Sequence, residues 1–215
     1  MSPDPLVPGR FRVPEDLILQ PPEGGWTVPP DWSAVFGRKG PLAVEIGPGK
    51  GIFLARIAAA HPELDFLAIE LRRQRCILCC RKILAARLGN ARLIEGPAES
   101  LVRPLFAPGS VRIWYVNFPD PWPKRKQKKH RIVQPPFVRD LAQTTEPGGI
   151  AYLATDDADY AGQILEVFEA DGSWENAHGP GRWSDTGGEH SRTTHEEKFL
   201  KWGRSIRYFQ FVRRA

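Results

Sequence analysis

The chain has 215 residues, of which 41% are hydrophobic and 26% are charged; this is typical of a folded globular domain and excludes wholesale disorder. Its longest run without a charged residue covers nine positions, 147–155, whereas a membrane-spanning helix needs about 20 apolar residues, so such a helix is also excluded. The net charge of +5 identifies no class of partner, because the distribution of charge along the chain is more informative than its sum.

The first thirty residues are rich in proline, with eight in total. Proline removes a backbone donor and interrupts both helices and strands. We therefore predict that residues 1–33 form an extended arm, with Trp26 and Trp32 as candidate anchors, and that residues 34–215 form one domain of ordinary size. The first ten residues, MSPDPLVPGR, also lack the apolar region of a secretory signal.

From Leu42 onward, apolar runs alternate with helical patterns. The predicted strands are Leu42–Ile46, Phe66–Ile69, Ala91–Ile94, Val111–Asn117, Ile150–Thr155 and, as a final edge strand, Ser205–Val212. The predicted helices are one that ends near Ala60, followed by Arg72–Leu88, Phe137–Thr145 and Tyr160–Glu169. This alternation predicts an α/β fold, with a mostly parallel sheet and helices on both faces. Ligands of such sheets bind at the carboxyl ends of the strands, near the point where the strand order reverses.

A glycine-rich turn follows the first predicted strand and opens a helix. Its sequence is Glu45-Ile46-Gly47-Pro48-Gly49-Lys50-Gly51, and glycines let a ligand approach the backbone closely. A dinucleotide site usually has G-x-G-x-x-G, with the third glycine one residue later, and an acidic neighbour suits a cation better than a pyrophosphate. S-adenosylmethionine carries an ammonium and a sulfonium and no phosphate, so we predict it as the ligand. The alternative is a purely structural turn.

Glu70 ends the second predicted strand, nineteen residues after Gly51. An acidic residue at about this spacing can accept hydrogen bonds from ribose hydroxyls. Together with the glycine turn, it therefore supports a nucleoside-containing cofactor. The alternatives are that Glu70 caps the following helix or pairs with Arg72.

The chain's three cysteines, Cys76, Cys79 and Cys80, lie in one short segment. An odd, clustered set does not suit a disulfide framework, so a reducing cytoplasm is expected. A structural zinc site needs four ligands, and neither His nor a further Cys lies near these residues in the sequence. We therefore interpret the cysteines as small buried hydrophobic residues and expect no metal site.

A proline-rich loop follows the fourth predicted strand. Its sequence is Asn117-Phe118-Pro119-Asp120-Pro121-Trp122-Pro123-Lys124, and from Lys124 to Arg131 six of eight residues are Lys or Arg and none is acidic. The prolines stiffen the loop, which presents one carboxylate and one aromatic ring. On a cofactor-binding fold, this combination predicts a nucleobase held beside the cofactor, with phosphates held outside. The alternatives are a surface loop with a buried Trp122 and a solvated run of charge.

Together these motifs resemble those of the tRNA (guanine-N7)-methyltransferases over most of residues 40–213. The matching segments are VEIGPGKG at Val44–Gly51, AIE at Ala68–Glu70, NFPDPWPK at Asn117–Lys124 with the basic tail to Arg131, ATD at Ala154–Asp156, and T-x-x-E at Thr193–Glu196 followed by Gly203. The PDPW segment with its basic tail is the specific part, because many methyltransferases share the glycine turn.

The resemblance implies a Rossmann-like class I S-adenosylmethionine-dependent methyltransferase fold with about seven strands. It implies methylation of guanine N7 at position 46, in the variable loop of tRNA. The implied cofactor-binding residues are Glu45, Gly47, Gly49, Gly51, Glu70, Pro97, Ala98 and Asp120. The implied tRNA or guanine contacts are Lys124, Asp156, Thr193, Thr194, His195 and Glu196. It implies tRNA as partner, with neither membrane nor metal, and it leaves monomer and homodimer open.

One position departs from the family pattern. The family usually has an acidic or amide residue after the third strand, often in an Asp-Ala pair, where this chain has Pro97-Ala98. Proline has neither a side-chain acceptor nor an N–H. The adenine amine of the cofactor therefore needs another acceptor, for which Glu95, Glu99 and a backbone carbonyl are the candidates.

Guanine N7 is a lone-pair acceptor that needs no deprotonation at neutral pH. A general base is therefore unnecessary, and catalysis is expected mostly from positioning, which can contribute about 7–11 kcal/mol. We assign Asp120 as the catalytic carboxylate, which stabilises positive charge as it reaches the purine. Asp156 or Glu196 could accept hydrogen bonds from guanine N1–H and the N2 amine. Thr193 and Glu196 also have capping-box spacing, so they could instead start a helix.

Three other functions remain as rivals. A nucleic-acid methyltransferase acting on an exocyclic amine usually carries an Asn/Asp-Pro-Pro-aromatic loop, and this chain lacks the Pro-Pro-aromatic part. A non-catalytic RNA-binding protein on the same scaffold would be consistent with Pro97. A nicotinamide dehydrogenase is disfavoured by the glycine spacing.

Overall fold

The structure, a computed structural model, describes residues 13–187, 202–203 and 205–215. The strands in these ranges are β1 (Ile18–Leu19), β2 (Leu42–Ile46), β3 (Asp65–Glu70), β4 (Ala91–Glu95), β5 (Val111–Asn117), β6 (Thr145–Thr155), β7 (Trp174–Asn176) and β8 (Arg207–Arg213). The helices are α1 (Trp32–Phe36), α2 (Ile52–Ala60), α3 (Arg73–Ala85), α4 (Ala98–Leu105), α5 (Pro135–Thr144), α6 (Ala158–Ala170) and a 3-10 helix, Arg125–His130.

The strands form one sheet in the order β1-β4-β3-β2-β5-β6-β8-β7. All pairs from β1 to β6 are parallel, and β8 is antiparallel to both β6 and β7. The chain moves from β2 outward to β3 and β4, and then returns to β5 on the other side of β2. The strand order therefore reverses between β2 and β5, which is where an open α/β sheet leaves a crevice for a ligand.

Helices cover both faces of the sheet, as the sequence predicts. The buried residues of α2 and α3 pack with Ala43 in one cluster, and those of α4, α5 and α6 pack with Val44 in the other. Because successive strand residues point to opposite faces, Glu45 faces the same side as Ala43, towards α2 and α3. The helices within the described ranges are all too short or too polar to cross a membrane.

Strands β8 and β6 and helix α4 differ from the sequence prediction. Strand β8 is not at the edge of the sheet, because the three-residue strand β7 pairs with its outer side; so short a strand has no recognisable alternation. Helix α4 was not predicted, since it has eight residues and contains Pro104. Strand β6 begins at Thr145, before Pro147-Gly148-Gly149 rather than after it, because Thr145 already pairs with Val111 of β5.

The described part of the proline-rich arm contacts the domain closely. Strand β1 pairs parallel to β4, and the Leu17 carbonyl accepts a hydrogen bond of 2.8 Å from the Leu93 N–H. Trp26 and Trp32 pack against the core, and Trp32 Nε1 donates to the Leu105 carbonyl at 3.2 Å. The two tryptophans therefore anchor the arm, as expected. The division at residue 33 stays a prediction, and α1 crosses it.

Helix α3 ends at Ala85, three residues earlier than predicted, and the left-handed residue that terminates it is Arg87 rather than Gly89. Arg87 has φ 53°. Its N–H donates to the Leu84 carbonyl at 2.9 Å, and the Leu88 N–H donates to the Ile83 carbonyl at 3.1 Å. These two bonds form a Schellman motif, in which the left-handed position favours glycine because any Cβ there is strained.

Arg87→Gly is therefore expected to raise the free energy of unfolding by about 0.5–1 kcal/mol. Urea denaturation of the two proteins measures the difference. Lys82→Gly, at an exposed position in the last turn of the same helix, is the matched control and should lower the free energy of unfolding by about 0.5–1 kcal/mol. A less stable Arg87→Gly protein would contradict the role given to the Schellman motif.

Candidate functional site

Five adjacent parallel strands, β4, β3, β2, β5 and β6, end along one edge of the sheet. The sequence-predicted site residues within the described ranges follow these strands in turn. They are Pro97 and Ala98 after β4, Glu70 at the end of β3, Glu45 and the glycine turn at β2, Asp120 and Lys124 after β5, and Asp156 after β6. The fold therefore brings these residues to one edge. Thr193, Thr194, His195 and Glu196 lie outside the described residues.

The glycine turn between β2 and α2 needs its glycines for two reasons. Gly47, Gly49 and Gly51 all have positive φ, at 69°, 58° and 72°, which other residues adopt only with strain. At Gly51 a Cβ atom would also lie 2.8 Å from the Cys79 Cα of α3, too close for any side chain. Gly51 thus lets α2 pack directly on α3, while Gly47 and Gly49 leave the turn open to a ligand.

Glu70 binds the glycine turn to the end of β3. It is 4% exposed, and its Oε2 accepts a hydrogen bond from the Gly49 N–H at 3.1 Å, while Oε1 accepts one from the Arg72 N–H at 3.0 Å. The second bond holds the chain just before α3 starts. Glu70 therefore also has a structural role at the start of this helix, which was the alternative to ligand binding. Each carboxylate oxygen has two lone pairs, and one on each remains for a ligand hydroxyl.

Glu45 of β2 and Asn117 of β5 lie on the two sides of the point where the strand order reverses. Each has one buried side-chain atom without a hydrogen-bond partner among the described residues. Glu45 is 2% exposed. Burial raises its pKa to about 8, while the Asn117 amide lowers the pKa and the charge of Glu70 raises it by smaller amounts. Glu45 Oε2 and Asn117 Nδ2 are both buried and have no hydrogen-bond partner among the described residues. Such atoms are costly unless a ligand completes them.

This pair fits the amino-acid part of S-adenosylmethionine. That molecule presents an ammonium, which donates hydrogen bonds, and a carboxylate, which accepts them. Glu45 Oε2 offers the buried acceptor and Asn117 Nδ2 the buried donor. Sequence reasoning did not select Asn117 as a site residue; the available signal was a polar residue directly after the four apolar or aromatic residues 113–116 at the end of the strand.

The Pro97-Ala98 position contributes backbone and packing rather than a side-chain acceptor. The Gly96 N–H donates to the Glu70 carbonyl at 3.0 Å. Pro97 is the residue at which α4 begins, and Ala98 is buried in the core. Glu95 lies beside Glu70 in the β3–β4 register and accepts a hydrogen bond from Arg73 at 3.1 Å. Acceptors for an adenine amine are therefore available at Glu95 and in the local backbone.

The loop after β5 is held in a strained shape around Asp120. Phe118 and Trp122 have φ of 49° and 41°, and such strained non-glycine residues persist only where the surroundings enforce them. The Phe118 N–H donates to the Ala154 carbonyl of β6 at 2.8 Å. Asp120 is exposed, while Trp122 is half-buried with its ring centroid 5.4 Å from that of His130. The Trp122 ring therefore lies against the 3-10 helix and keeps part of its surface exposed.

The basic segment from Lys124 to Arg131, called the basic block below, contains some side chains that are exposed and others that already pair with groups of the protein. Lys128 Nζ pairs with Asp159 Oδ1 at 2.6 Å, and the Arg131 side chain is only 1% exposed. The expectation that the whole block contacts phosphate is therefore wrong for Arg131, which burial removes from the surface. The residues that are exposed and make no ion pair within the described ranges are Lys124, Arg125, Lys126 and Lys129.

Asp156 follows β6 and lies near the Asp120 loop, because Phe118 is bonded to the adjoining Ala154. The Asp156 carbonyl accepts a hydrogen bond of 3.4 Å from Arg207 Nη1 of the neighbouring strand β8. The side chain is half-buried. Asp156 therefore lies beside the crevice, and its contact with a base edge stays a prediction.

The three cysteines lie on the buried side of α3, as the sequence predicts. Burial raises the pKa of Cys76 to about 11 and of Cys80 to about 12, and it raises the pKa of Cys79 well above its usual value. All three are free thiols. Among the residues that the structure describes, no group of three or more His, Cys, Asp or Glu side chains could hold a metal ion.

Known proteins resemble this chain in sequence and in fold. Residues 39–208 match a family described as "Putative methyltransferase". The tRNA (guanine-N(7)-)-methyltransferase of Alkalilimnicola ehrlichii is 40% identical over 94% of this chain and 85% of its own length, and that of Geobacter metallireducens is 32% identical over 95% and 96%. Two solved structures share the fold: the 16S rRNA methyltransferase KamB (TM-score 0.64, 15% identity, 93% of this chain and 99% of that chain) and TrmN from Thermus thermophilus (0.59, 19%, 81% and 44%). The chain belongs to the tRNA (guanine-N(7)-)-methyltransferase family.

Proposed function

We propose that this protein transfers the methyl group of S-adenosylmethionine to N7 of a guanine in tRNA, at position 46 of the variable loop. The observation that carries the proposal is the buried pair of unpartnered atoms, Glu45 Oε2 and Asn117 Nδ2, between the glycine turn and the Asp120 loop. The pair suits a zwitterionic amino-acid group. Membership of the family supports the choice of base and of RNA.

When bound, S-adenosylmethionine supplies a methyl group made electrophilic by its positive sulfur. Glu45 accepts hydrogen bonds from the ammonium and Asn117 donates to the carboxylate, so both buried atoms gain partners. Glu70, already oriented by Gly49 and Arg72, accepts hydrogen bonds from the ribose hydroxyls with its remaining lone pairs. These residues would hold the cofactor in the crevice that the Asp120 loop borders.

The acceptor atom needs no activation, because guanine N7 carries a free lone pair. The task of the protein is therefore to align N7 with the methyl carbon and to accommodate the positive charge that reaches the purine. Asp120 supplies a carboxylate for that charge. Asp156 accepts from guanine N1–H and the N2 amine and so excludes adenine; Glu196 is the alternative for this contact.

The exposed cations of the basic block hold the RNA backbone outside the crevice. The 3-10 helix directly follows the Asp120 loop, so phosphates bound there lie close to a base that enters the site. Phosphate contacts fix register and orientation, while contacts to the base edge give specificity. A cytoplasmic location follows from a tRNA substrate.

The direct test is transfer of labelled methyl groups to unmodified tRNA, followed by mass analysis and mapping of the modified nucleoside. We expect 7-methylguanosine at position 46. Methylation of an exocyclic amine would show that the protein belongs to a rival class of activity. Cofactor binding by calorimetry without transfer would identify a non-catalytic RNA-binding protein.

Cofactor binding should release a proton at pH 6.5. The pKa of Glu45 is about 8 in the ligand-free protein, so the group is protonated at pH 6.5, whereas the ammonium of the ligand, with an ordinary pKa of about 8, favours the carboxylate. Calorimetry in buffers of different ionisation enthalpy counts the proton. Glu45→Gln should abolish the release, and Glu166→Gln, on the exposed side of α6, should not. Binding without proton release would contradict the assignment.

The same group sets a pH dependence of stability. Its pKa is raised from 4.5 to about 8 on folding, so the folded protein keeps a proton that the unfolded chain loses between these values. The contribution of Glu45 to stability is therefore fully present below about pH 4.5 and is lost as the pH rises through about 8. Glu45→Gln should remove this dependence and raise the ligand-free free energy of unfolding at pH 9 by about 1–3 kcal/mol.

Asp120→Asn should lower kcat by about 100-fold, since losing one preorganised electrostatic group typically costs this much. The Kd for tRNA should change less than about threefold, because the charge on the purine develops only in the transition state. Asp16→Asn is the matched control, because Asp16 precedes β1 and so lies at the opposite edge of the sheet. Near-normal turnover by Asp120→Asn would remove Asp120 from catalysis.

Neutralising the exposed cations should weaken tRNA binding in a salt-dependent way. Each lost phosphate contact reduces the slope of log Kd against log salt by roughly 0.7–0.9. Lys126→Gln should lower the slope by about one unit, and a variant neutralised at Lys124, Arg125, Lys126 and Lys129 should lower it by about three. Lys39→Gln, just before β2 at the opposite edge, should leave it unchanged. Equal slopes for all proteins would mean that the block is solvated surface.

A further inference from the structure

Arg131 is the most thoroughly enclosed cation of the basic block. Its Nε donates to the Pro121 carbonyl at 2.7 Å, Nη1 to Gln163 Oε1 at 2.8 Å, and Nη2 to Asp159 Oδ2 at 2.6 Å. The guanidinium carbon lies 4.6 Å from the centroid of the Tyr160 ring. A guanidinium spreads its donors over three nitrogen atoms in one plane and so reaches three separate acceptors, whereas the donors of an ammonium all lie on one atom.

These contacts join helix α6 to the Asp120 loop. Gln163 and Tyr160 also grip the chain just beyond Arg131, because Gln163 Nε2 donates to the Val133 carbonyl at 2.9 Å and the Tyr160 hydroxyl accepts from the Val133 N–H at 3.1 Å. Helix α6 thus holds the chain on both sides of the 3-10 helix: at Pro121 through Arg131, and at Val133 directly.

The attachment point lies where the loop is strained. Pro121 is directly after Asp120 and directly before Trp122, which has φ 41°; Phe118, with φ 49°, lies on the other side. A non-glycine residue in this region costs about 1–2 kcal/mol. The bond from Arg131 to the Pro121 carbonyl is therefore placed to keep the loop in a shape it would otherwise relax from.

Asp159 connects Arg131 to the 3-10 helix, which carries the exposed cations. Its two oxygens are shared, Oδ2 with Arg131 and Oδ1 with Lys128 of the 3-10 helix. Hydrogen bonds from Lys128 and Arg131 lower the pKa of Asp159. One carboxylate thus fixes both the Asp120 loop, through Arg131, and the 3-10 helix, through Lys128.

We propose that Arg131 is a positioning residue that holds Asp120 in its reactive place through the Pro121 carbonyl, and that Asp159 orients Arg131. The proposal rests on the proposed function for the role of Asp120. The geometry of the network gives it a readout that is independent of methyl transfer.

Arg131→Lys is the first test, because it keeps the charge and loses the fork. It should lower kcat by about 10- to 100-fold, as expected for a small misplacement of a reacting group, with KM for tRNA and Kd for the cofactor changed less than about threefold. Arg139→Lys, an exposed arginine of α5, is the matched control and should be unchanged. A rise in KM alone would overturn the proposal and assign Arg131 to RNA binding.

Combining variants separates positioning from general structural support. In an Asp120→Asn background, Arg131→Lys should lower kcat by less than about twofold further, since it acts through the missing carboxylate. Asp159→Asn should lower kcat in the intact protein but not in the Arg131→Lys protein. Losses that multiply in both pairs would mean that Arg131 and Asp159 support the fold without positioning Asp120.

Hydrogen exchange tests the loop without any reaction. In Arg131→Lys and Asp159→Asn, the Phe118 N–H, bonded to the Ala154 carbonyl, should exchange at least about tenfold faster, while amides of β2 should be unchanged. If the wild-type protein transfers no methyl group but these variants exchange faster, Arg131 still holds the loop and the proposed function is rejected. Unchanged exchange at Phe118 would show that Arg131 does not hold the loop, whatever the activity.

Discussion

A carboxyl group buried at the end of β2 is the constraint on which the site depends. Glu45 is 2% exposed, its pKa is raised to about 8, and its Oε2 has no partner among the described residues. Burial disfavours the ionised form of such a group, and a cation beside it favours that form. The buried carboxyl therefore suits the ammonium group of the proposed cofactor.

The topology explains why this carboxyl lies next to the acceptor loop. The strand order reverses between β2 and β5, so the residues after these two strands face one crevice. Glu45 and the glycine turn come from one side, and Asn117 and Asp120 from the other. A cofactor that bridges the reversal reaches the loop that is held by α6, and the 3-10 helix carries its exposed cations beside that loop.

Local patterns in the sequence predicted much of this arrangement. The parallel α/β sheet, the glycine turn, Glu70 and the Asp120 loop were identifiable because each depends on neighbouring residues. Strand β7, the inner position of β8 and helix α4 depend on pairing between distant segments or are too short to show a pattern. The burial of Arg131 could not be predicted, because contacts with α6, 28 and 32 residues further along the chain, decide it.

The protonation state of Glu45 tests the account most directly. Carbon-13 NMR of glutamate carboxyl groups, assigned with Glu45→Gln, would follow its titration in the ligand-free protein and in the complex with S-adenosylhomocysteine, which keeps the ammonium and the carboxylate of the cofactor. The account predicts a carboxyl that titrates near pH 8 without ligand and is ionised at pH 6.5 with it. A Glu45 carboxyl that titrates near its ordinary value of 4.5, or that stays protonated in the complex, would contradict it.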